Sequence, residues 1–253
     1  MKRSRLALVP LLGLVVLSLA AEPVAAQTSV TSELINGLNN KLMWVAVPIT
    51  ILVEAILLYT VLRFKDADEA KPTKENRRLE ITWTVATAVI LLFVGVASYG
   101  VLANENVVFQ GDSQEIAPQE DDVVVRAEAF QWGWRMSYPE ENVSAGGTTI
   151  VIPKNQDVYI NITSADVIHA FHVPKLGLKQ DAMPGQVNTI KTVALKEGTY
   201  QGYCAEFCGV GHSQMMFTVK VVSQEEYEQY IQERKSSSQD LDAGQSATEL
   251  AAN

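Results

Sequence analysis

The sequence predicts a two-helix membrane hairpin followed by one all-β domain. Two apolar runs, residues 42–62 and 79–102, are each long enough to cross a bilayer, since about 20 helical residues span roughly 30 Å. From residue 122 onward the chain changes to short β-type runs separated by turn residues. These observations predict a hairpin over residues 27–103 and a β domain over residues 104–224. A short helix over residues 225–235 and then a disordered, irregular tail up to residue 253 are expected.

The first 26 residues have the three parts of a secretory signal. Three basic residues lie within the first five positions, residues 6–20 are mostly apolar, and a small-residue cleavage site ends at Ala26. An uncleaved membrane helix is the alternative, but this apolar stretch is short for one and contains Pro10. We therefore expect cleavage after Ala26.

The charge of the connecting segments predicts the orientation of the hairpin. Residues 63–78, between the apolar runs, contain six Lys and Arg residues, whereas no basic residue follows the second run before Arg126. Short loops rich in Lys and Arg stay in the cytoplasm. We therefore expect the loop in the cytoplasm and the β domain on the exported side. Glu54, in the middle of the first span, is costly in lipid, which favours a polar contact with a partner helix.

Composition excludes two classes of protein. The formal net charge is −9, which offers nucleic-acid phosphates no basic surface, so no nucleic-acid binding is predicted. The chain has only 2 cysteines, which excludes a fold held by a disulfide framework.

The β domain contains eight predicted strands in about 100 residues. Turn signals such as Gly146-Gly147 and Pro184-Gly185 separate them. Short strands at this spacing are typical of an antiparallel sandwich or barrel. The predicted strands are residues 123–130, 132–138, 148–152, 158–163, 167–173, 187–195, 199–203 and 216–222.

Both cysteines lie in one stretch with a histidine and a methionine. Cys204, Cys208, His212 and Met215 follow the spacing Cys-x3-Cys-x3-His-x2-Met, and His169 lies upstream at the end of a predicted strand. Thiolate, imidazole and thioether donors together suit copper better than calcium or magnesium. A disulfide between the two cysteines is the alternative in an exported domain. It would leave the histidines and the methionine unexplained.

These two segments closely resemble the binuclear copper (CuA) domain of subunit II of the haem–copper cytochrome c oxidases. The resemblance extends from about residue 40 to about residue 222 and implies a cupredoxin-like Greek-key barrel. It also implies six copper ligands, two of them thiolates that bridge the metals: Cys204, Cys208, His169, Met215, His212 and the backbone carbonyl of Glu206.

The resemblance divides the remaining ligands between the two coppers. His169 and Met215 are implied for one copper, and His212 with the Glu206 carbonyl for the other. The Glu206 side chain matches a carboxylate that reaches a magnesium site shared with the catalytic subunit, as suits a hard cation. His172 is not expected to bind copper, since the Asp-Val-x-His-x-Phe match selects His169 and neighbouring strand positions alternate in direction.

Two further residues, Trp132 and Glu80, receive roles from the resemblance, and a third, Asp166, receives one from its charge. Trp132, in the aromatic run 129–138, matches the position where electrons enter from the donor, with core packing as the alternative. Asp166 is the acidic residue expected to attract a basic donor. Glu80, at the cytoplasmic start of the second span, matches the mouth of a proton-uptake channel, with stabilisation of the helix dipole as the alternative. Gln186 stands where many members carry an arginine after Pro-Gly.

The chain is identified as a member of this family. We expect it to take electrons from a soluble donor, a cytochrome c or a small blue-copper protein, and to pass them to a haem in subunit I. There oxygen is reduced and protons are translocated. The expected partners are subunit I, subunit III, the donor and the membrane, which we expect to be a prokaryotic plasma membrane with the β domain outside.

Two other functions remain as alternatives. A membrane-anchored copper-delivery or copper-storage protein needs exchangeable ligands and gives no reason for the aromatic run around Trp132. A quinol-oxidase homologue has this fold but lacks the metal ligands, which argues against it here.

Overall fold

The computed structural model describes residues 28–67, 69, 72, 74–108, 118–119 and 121–251, with side chains up to Ser238. The predicted signal sequence, residues 1–26, and residues 109–117, between the second apolar run and the first strand, lie outside the described residues.

Two helices form the hairpin, α1 (Val30–Phe64) and α2 (Arg77–Leu102). Both are long and apolar enough to cross a membrane, and their apolar side chains are exposed. The helix α1 begins well before the predicted apolar run because Ser29 and Ser32 form a capping box. The Ser29 hydroxyl accepts the Ser32 N–H, and the Ser32 hydroxyl accepts the Ser29 N–H. The first turns of α1 are therefore a polar extension beyond the membrane-spanning part.

The described part of the exported domain contains ten strands in two five-stranded sheets. One sheet has the order β3-β2-β1-β5-β8 and the other β4-β10-β9-β6-β7. The strands are β1 (Val123–Phe130), β2 (Gly133–Tyr138), β3 (Val143–Ser144), β4 (Thr149–Pro153), β5 (Asp157–Ser164), β6 (His169–Val173), β7 (Leu178–Ala182), β8 (Asn188–Val193), β9 (Gly198–Cys204) and β10 (Met216–Val222).

This β-sandwich behind two apolar helices confirms the predicted fold class. The sheets are mixed, however, rather than purely antiparallel. The pairs β1–β5 and β4–β10 run parallel, and the other described pairs run antiparallel. A parallel pair needs a long crossover, so it cannot be recognised from the short turns between neighbouring runs.

The strand β7 is absent from the predicted strands because its sequence, Leu-Lys-Gln-Asp-Ala, is polar and lacks β-branched residues. It forms because the chain reverses just before it. A 3₁₀ turn at Pro174–Leu176 ends at Gly177, whose φ of 67° is a left-handed conformation that glycine adopts readily. The reversed chain then pairs antiparallel with β6 from Val173 to His169.

The terminal helix α3 (Gln224–Ala251) is longer than the predicted segment 225–235 and takes the place of the irregular tail expected after it. The polar composition of the tail indicates that little of it can be buried. This polar composition does not prevent a helix, because Glu, Gln, Ala and Leu are good helix formers. The first turns pack on the sandwich, where Tyr227 and Ile231 are buried.

Aromatic side chains fill the space between the sheets. Trp134 meets Phe171 and Phe217 edge-on, with ring centroids 5.8 and 5.0 Å away, and the two phenyl rings stack at 4.5 Å. Such edge-to-face and stacked rings stabilise beyond the area that they bury. Trp134 is therefore a core residue.

The exported domain is attached to the hairpin by polar contacts around Lys191, which we name the junction (Lys191, Glu105 and Asp157). The Lys191 Nζ lies 2.5 Å from Glu105 Oε1, just beyond α2, and 2.9 Å from Asp157 Oδ2 at the start of β5. The Thr31 hydroxyl of α1 also donates to the Asn106 carbonyl at 2.8 Å. The Lys191–Glu105 contact therefore joins the domain to the segment after α2, and the Thr31 bond joins α1 to that same segment.

Candidate metal centre

Strand register brings the upstream histidine to the cysteine segment. His169 is the first residue of β6, and Cys204 is the last residue of β9. These strands are antiparallel neighbours in which Phe171 lies opposite Cys204. His169, Cys204 and Cys208 form a buried group whose ligand atoms lie within 4.8 Å of one another.

Cys204 lies between one histidine and one carbonyl group. Its Sγ is 3.8 Å from His169 Nδ1 and 3.2 Å from the Glu206 carbonyl oxygen. Cys208 Sγ is 3.9 Å away. A disulfide requires a sulfur–sulfur distance of about 2.05 Å, so the two thiols are free.

Cys208 has a second histidine and the methionine beside it. Its Sγ is 3.6 Å from His212 Nδ1 and 3.3 Å from Met215 Sδ. A 3₁₀ turn at His212–Gln214 makes this possible, because it reverses the chain just before β10. The structure thus brings the other four groups implied as ligands beside the two cysteine sulfur atoms, two at each.

Burial makes this point a good site for a soft cation. His169, Cys204, Cys208 and Met215 are buried, and His212 is half-buried. Burial, with the neighbouring Cys204, raises the pKa of the Cys208 thiol to about 11. The thiol therefore keeps its proton at neutral pH until a metal replaces it. The donor set fits copper, since two cysteine thiolates and a methionine thioether are poor ligands for hard cations.

The Asp166 carboxylate bonds a proposed ligand residue, a contact that the sequence did not indicate. Its Oδ1 lies 2.9 Å from His169 Nε2, and its Oδ2 accepts the Gln131 N–H at 2.6 Å. Burial alone would raise the Asp166 pKa. The hydrogen bonds from His169, Gln131 and Val167 outweigh burial and hold that pKa below its ordinary value. The carboxylate orients the imidazole so that Nδ1 is the nitrogen nearer Cys204.

Trp132 lies in the turn between β1 and β2, not in a strand as predicted. It is 44% exposed, and its Nε1 donates to the Cys208 carbonyl at 3.2 Å. Its ring lies over Gly211, where a Cβ would come within 2.5 Å of Trp132 Cγ. One side chain therefore touches both solvent and the peptide of a ligand residue.

Two other features of this site were not predicted from the sequence. Phe207 and Val210, 80% and 91% exposed, form an apolar rim beside the ligands. Gln131, next to Trp132, bonds the Cys208 carbonyl through Nε2 at 2.8 Å. A single sequence gives no signal for either, since exposure and hydrogen bonding appear only in the folded chain.

The other residues singled out lie apart from this donor set. His172 bonds the Leu178 carbonyl through Nδ1 at 2.9 Å and meets the Tyr203 ring edge-on at 5.0 Å. The Glu206 side chain is exposed at the surface. Glu80 is half-buried in the first turn of α2, and Glu54 is exposed in the middle of α1.

Comparison with known proteins places both parts of the chain in one family. Residues 21–101 match the transmembrane domain of cytochrome c oxidase subunit II, and residues 142–222 match its periplasmic domain. Cytochrome c oxidase subunit 2 of Cereibacter sphaeroides is 33% identical, over 90% of this chain and 83% of that protein. This chain belongs to the cytochrome c oxidase subunit II family.

One further relative agrees with this assignment, and one solved structure is similar to part of the chain. A probable cytochrome c oxidase subunit 2 of Rickettsia bellii is 30% identical, over 88% of this chain and 91% of its own. The crystal structure of the periplasmic domain of subunit II of cytochrome oxidase of Bradyrhizobium japonicum is 30% identical. It covers 47% of this chain and 97% of its own, with a TM-score of 0.44. Membership of this family implies copper, for which His169, Cys204 and Cys208 are the candidate site.

Proposed function

We propose that this chain is the electron-accepting subunit of a haem–copper oxidase. It accepts electrons from a soluble donor, a cytochrome c or a blue-copper protein, at a binuclear CuA centre. It passes them to a haem in subunit I, where oxygen reduction is coupled to proton translocation. The observation that carries the proposal is the convergence of six donor groups of the CuA type within one buried site.

The two cysteines hold the centre, and the other donors complete it. Cys204 and Cys208 would hold both metals, His169 and Met215 would complete the ligands of one, and His212 with the Glu206 carbonyl would complete those of the other. Copper bound there supplies a one-electron carrier with its charge shared over two metals. The buried protein groups around it exclude water, which limits the rearrangement that electron transfer requires.

Trp132 and Asp166 serve the donor side. The exposed indole of Trp132 offers apolar contact area, and its Nε1–H reaches the Cys208 peptide directly. Asp166 keeps 32% of its side chain exposed while it orients His169. Its charge attracts a basic donor, an effect that weakens as salt screens it.

The remaining roles concern the assembled complex. The Glu206 carboxylate contributes to a magnesium site shared with subunit I, and Glu80 collects protons at the cytoplasmic face. Subunit III is a further partner. The complex lies in the plasma membrane of a prokaryote, with the β-sandwich on the outer side.

The test compares the assembled oxidase before and after selective removal of copper from this chain. Reduced donor is mixed rapidly with each preparation, and haem reduction in subunit I is followed by absorption. We expect copper removal to abolish fast haem reduction and copper restoration to recover it. Equal rates in the two preparations would contradict the proposal.

A further inference from the structure

Gln131 connects the two halves of the metal centre. Its side-chain Nε2 donates to the Cys208 carbonyl at 2.8 Å, and its main-chain N–H donates to Asp166 Oδ2 at 2.6 Å. The other oxygen of that carboxylate holds His169 Nε2 at 2.9 Å. Gln131, in the β1–β2 turn, therefore contacts Cys208 directly and is linked to His169 through Asp166.

The Cys208 carbonyl is bonded both by Gln131 and by Trp132, the residue proposed to receive electrons from the donor. It accepts the Gln131 amide at 2.8 Å and the Trp132 indole N–H at 3.2 Å. A carbonyl oxygen has two lone pairs, so it can accept both bonds together. The close fit depends on Gly209, where a Cβ would lie 3.2 Å from Trp132 Nε1 and 3.3 Å from Gln131 Nε2.

We propose that Gln131 is a positioning residue of the copper centre, an inference that rests on the function proposed above. Its amide fixes the Cys208 peptide and so limits the directions that the Cys208 thiol can take. Its main-chain N–H fixes Asp166, which keeps Nδ1 of His169 toward Cys204. Groups that hold metal ligands in this way tune metal affinity and electronic properties.

A different role is open to an exposed glutamine beside Trp132, that of a simple contact for the donor. The two roles differ in what they change without any donor present. A positioning residue alters the centre itself, whereas a contact residue alters only how well the donor binds. Measurements on the copper-loaded chain alone therefore separate them.

The variant that tests this is Gln131→Leu in the full-length chain. Leucine keeps much of the side-chain volume but has no N–H to donate to the Cys208 carbonyl. The main-chain bond to Asp166 remains, so the turn should keep its fold. We expect copper affinity, measured by competition with a chelator, to fall by roughly tenfold. The copper hyperfine pattern in the EPR spectrum should change as well.

A matched control is Gln229→Leu, which removes an exposed glutamine on α3 whose side chain bonds Glu225, far from the metal centre. It should leave copper affinity and spectrum unchanged. If Gln131→Leu also leaves both unchanged, the positioning role is overturned, even if the KM for the donor rises. If the unmodified chain binds no copper pair, the proposed function fails, and this inference fails with it.

Discussion

The metal centre and the junction both contain buried polar groups, but these groups are used in opposite ways. At the junction, Lys191 donates to Glu105 and Asp157, so its buried charge is neutralised by other parts of the chain. At the metal centre, His169 Nδ1 and the two cysteine sulfur atoms face one another, while the Asp166 carboxylate bonds the opposite nitrogen of His169. Neutralised groups hold a fold together, whereas a convergence of donors alone indicates a site for a cation. Substitutions in the two regions should therefore have separable effects.

The largest effect is expected for Cys204→Ser or Cys208→Ser. A hydroxyl is a hard and weak ligand for copper, so either change should abolish the mixed-valence EPR pattern. Metal analysis and EPR of the copper-loaded full-length chain check this result. His172→Ala should leave the pattern unchanged, because His172 bonds Leu178 rather than the sulfur atoms. Loss of the pattern in that variant would mean that the proposed ligand set is wrong.

Trp132→Ala should slow electron transfer from the donor far more than it changes copper content. It removes the exposed indole and its bond to the Cys208 carbonyl, while all six proposed ligands remain. We expect electron transfer from the donor to slow by about tenfold or more, equivalent to about 1.4 kcal/mol in activation free energy. Rapid mixing with reduced donor measures the rate, and metal analysis measures copper content. Donor-driven turnover equal to that of the unmodified oxidase would remove Trp132 from the electron path.

Glu80→Gln tests the proton side, which the metal centre does not touch. The residue is half-buried in the first turn of α2, and glutamine preserves its size while removing its charge. We expect slower oxygen reduction at a proton-dependent step, with normal copper content and normal electron transfer from the donor. Oxygen consumption across a pH series measures this. An unaltered rate and pH profile would leave only stabilisation of the helix dipole as the role of Glu80.

The smallest effect on activity and the clearest effect on stability are expected for Lys191→Met. Methionine fills similar volume but leaves two carboxylates without a partner. Both are partly exposed, so water offsets part of the loss, and we expect about 1–2 kcal/mol of destabilisation. Thermal unfolding of the full-length chain in detergent measures this, and the EPR pattern should not change. A change in the spectrum with no change in unfolding would break the contrast between the two regions.

The pH dependence of this contribution follows from the Lys191 pKa. Burial alone would lower it, but Glu105 and Asp157 raise it further, so the folded pKa lies above its ordinary value. The stabilisation is then fully present below the unfolded pKa of about 10.4 and is lost as pH rises through the folded pKa. The difference in stability between Lys191→Met and the unmodified chain should therefore stay constant across neutral pH.

These two regions also differ in how far the sequence could predict them. The metal centre depends on four residues within twelve positions, with distinctive chemistry, so its motif can be recognised from the sequence alone. Only the position of His169 requires the β6–β9 register. The junction joins Glu105, Asp157 and Lys191, which are ordinary charged residues far apart in the chain. No local pattern distinguishes them from other surface charges.

The same contrast explains the other differences. The strand β7 and the parallel pairs depend on long-range pairing, which outweighs the weak β propensity of a polar segment. The inward contacts of Asp166 and Gln131 depend on how a turn folds over the ligand segment. The apolar spans, in contrast, can be predicted from composition alone, because a helix that crosses a bilayer needs about 20 mostly apolar residues.

The most direct test of the account is an EPR spectrum of the unmodified full-length chain, loaded with copper, together with its copper content. Two cysteine thiolates with four further ligand groups predict a bound copper pair and a mixed-valence pattern with one unpaired electron shared equally. A single copper with the spectrum of a mononuclear blue-copper site would contradict the binuclear centre, and with it the function proposed here.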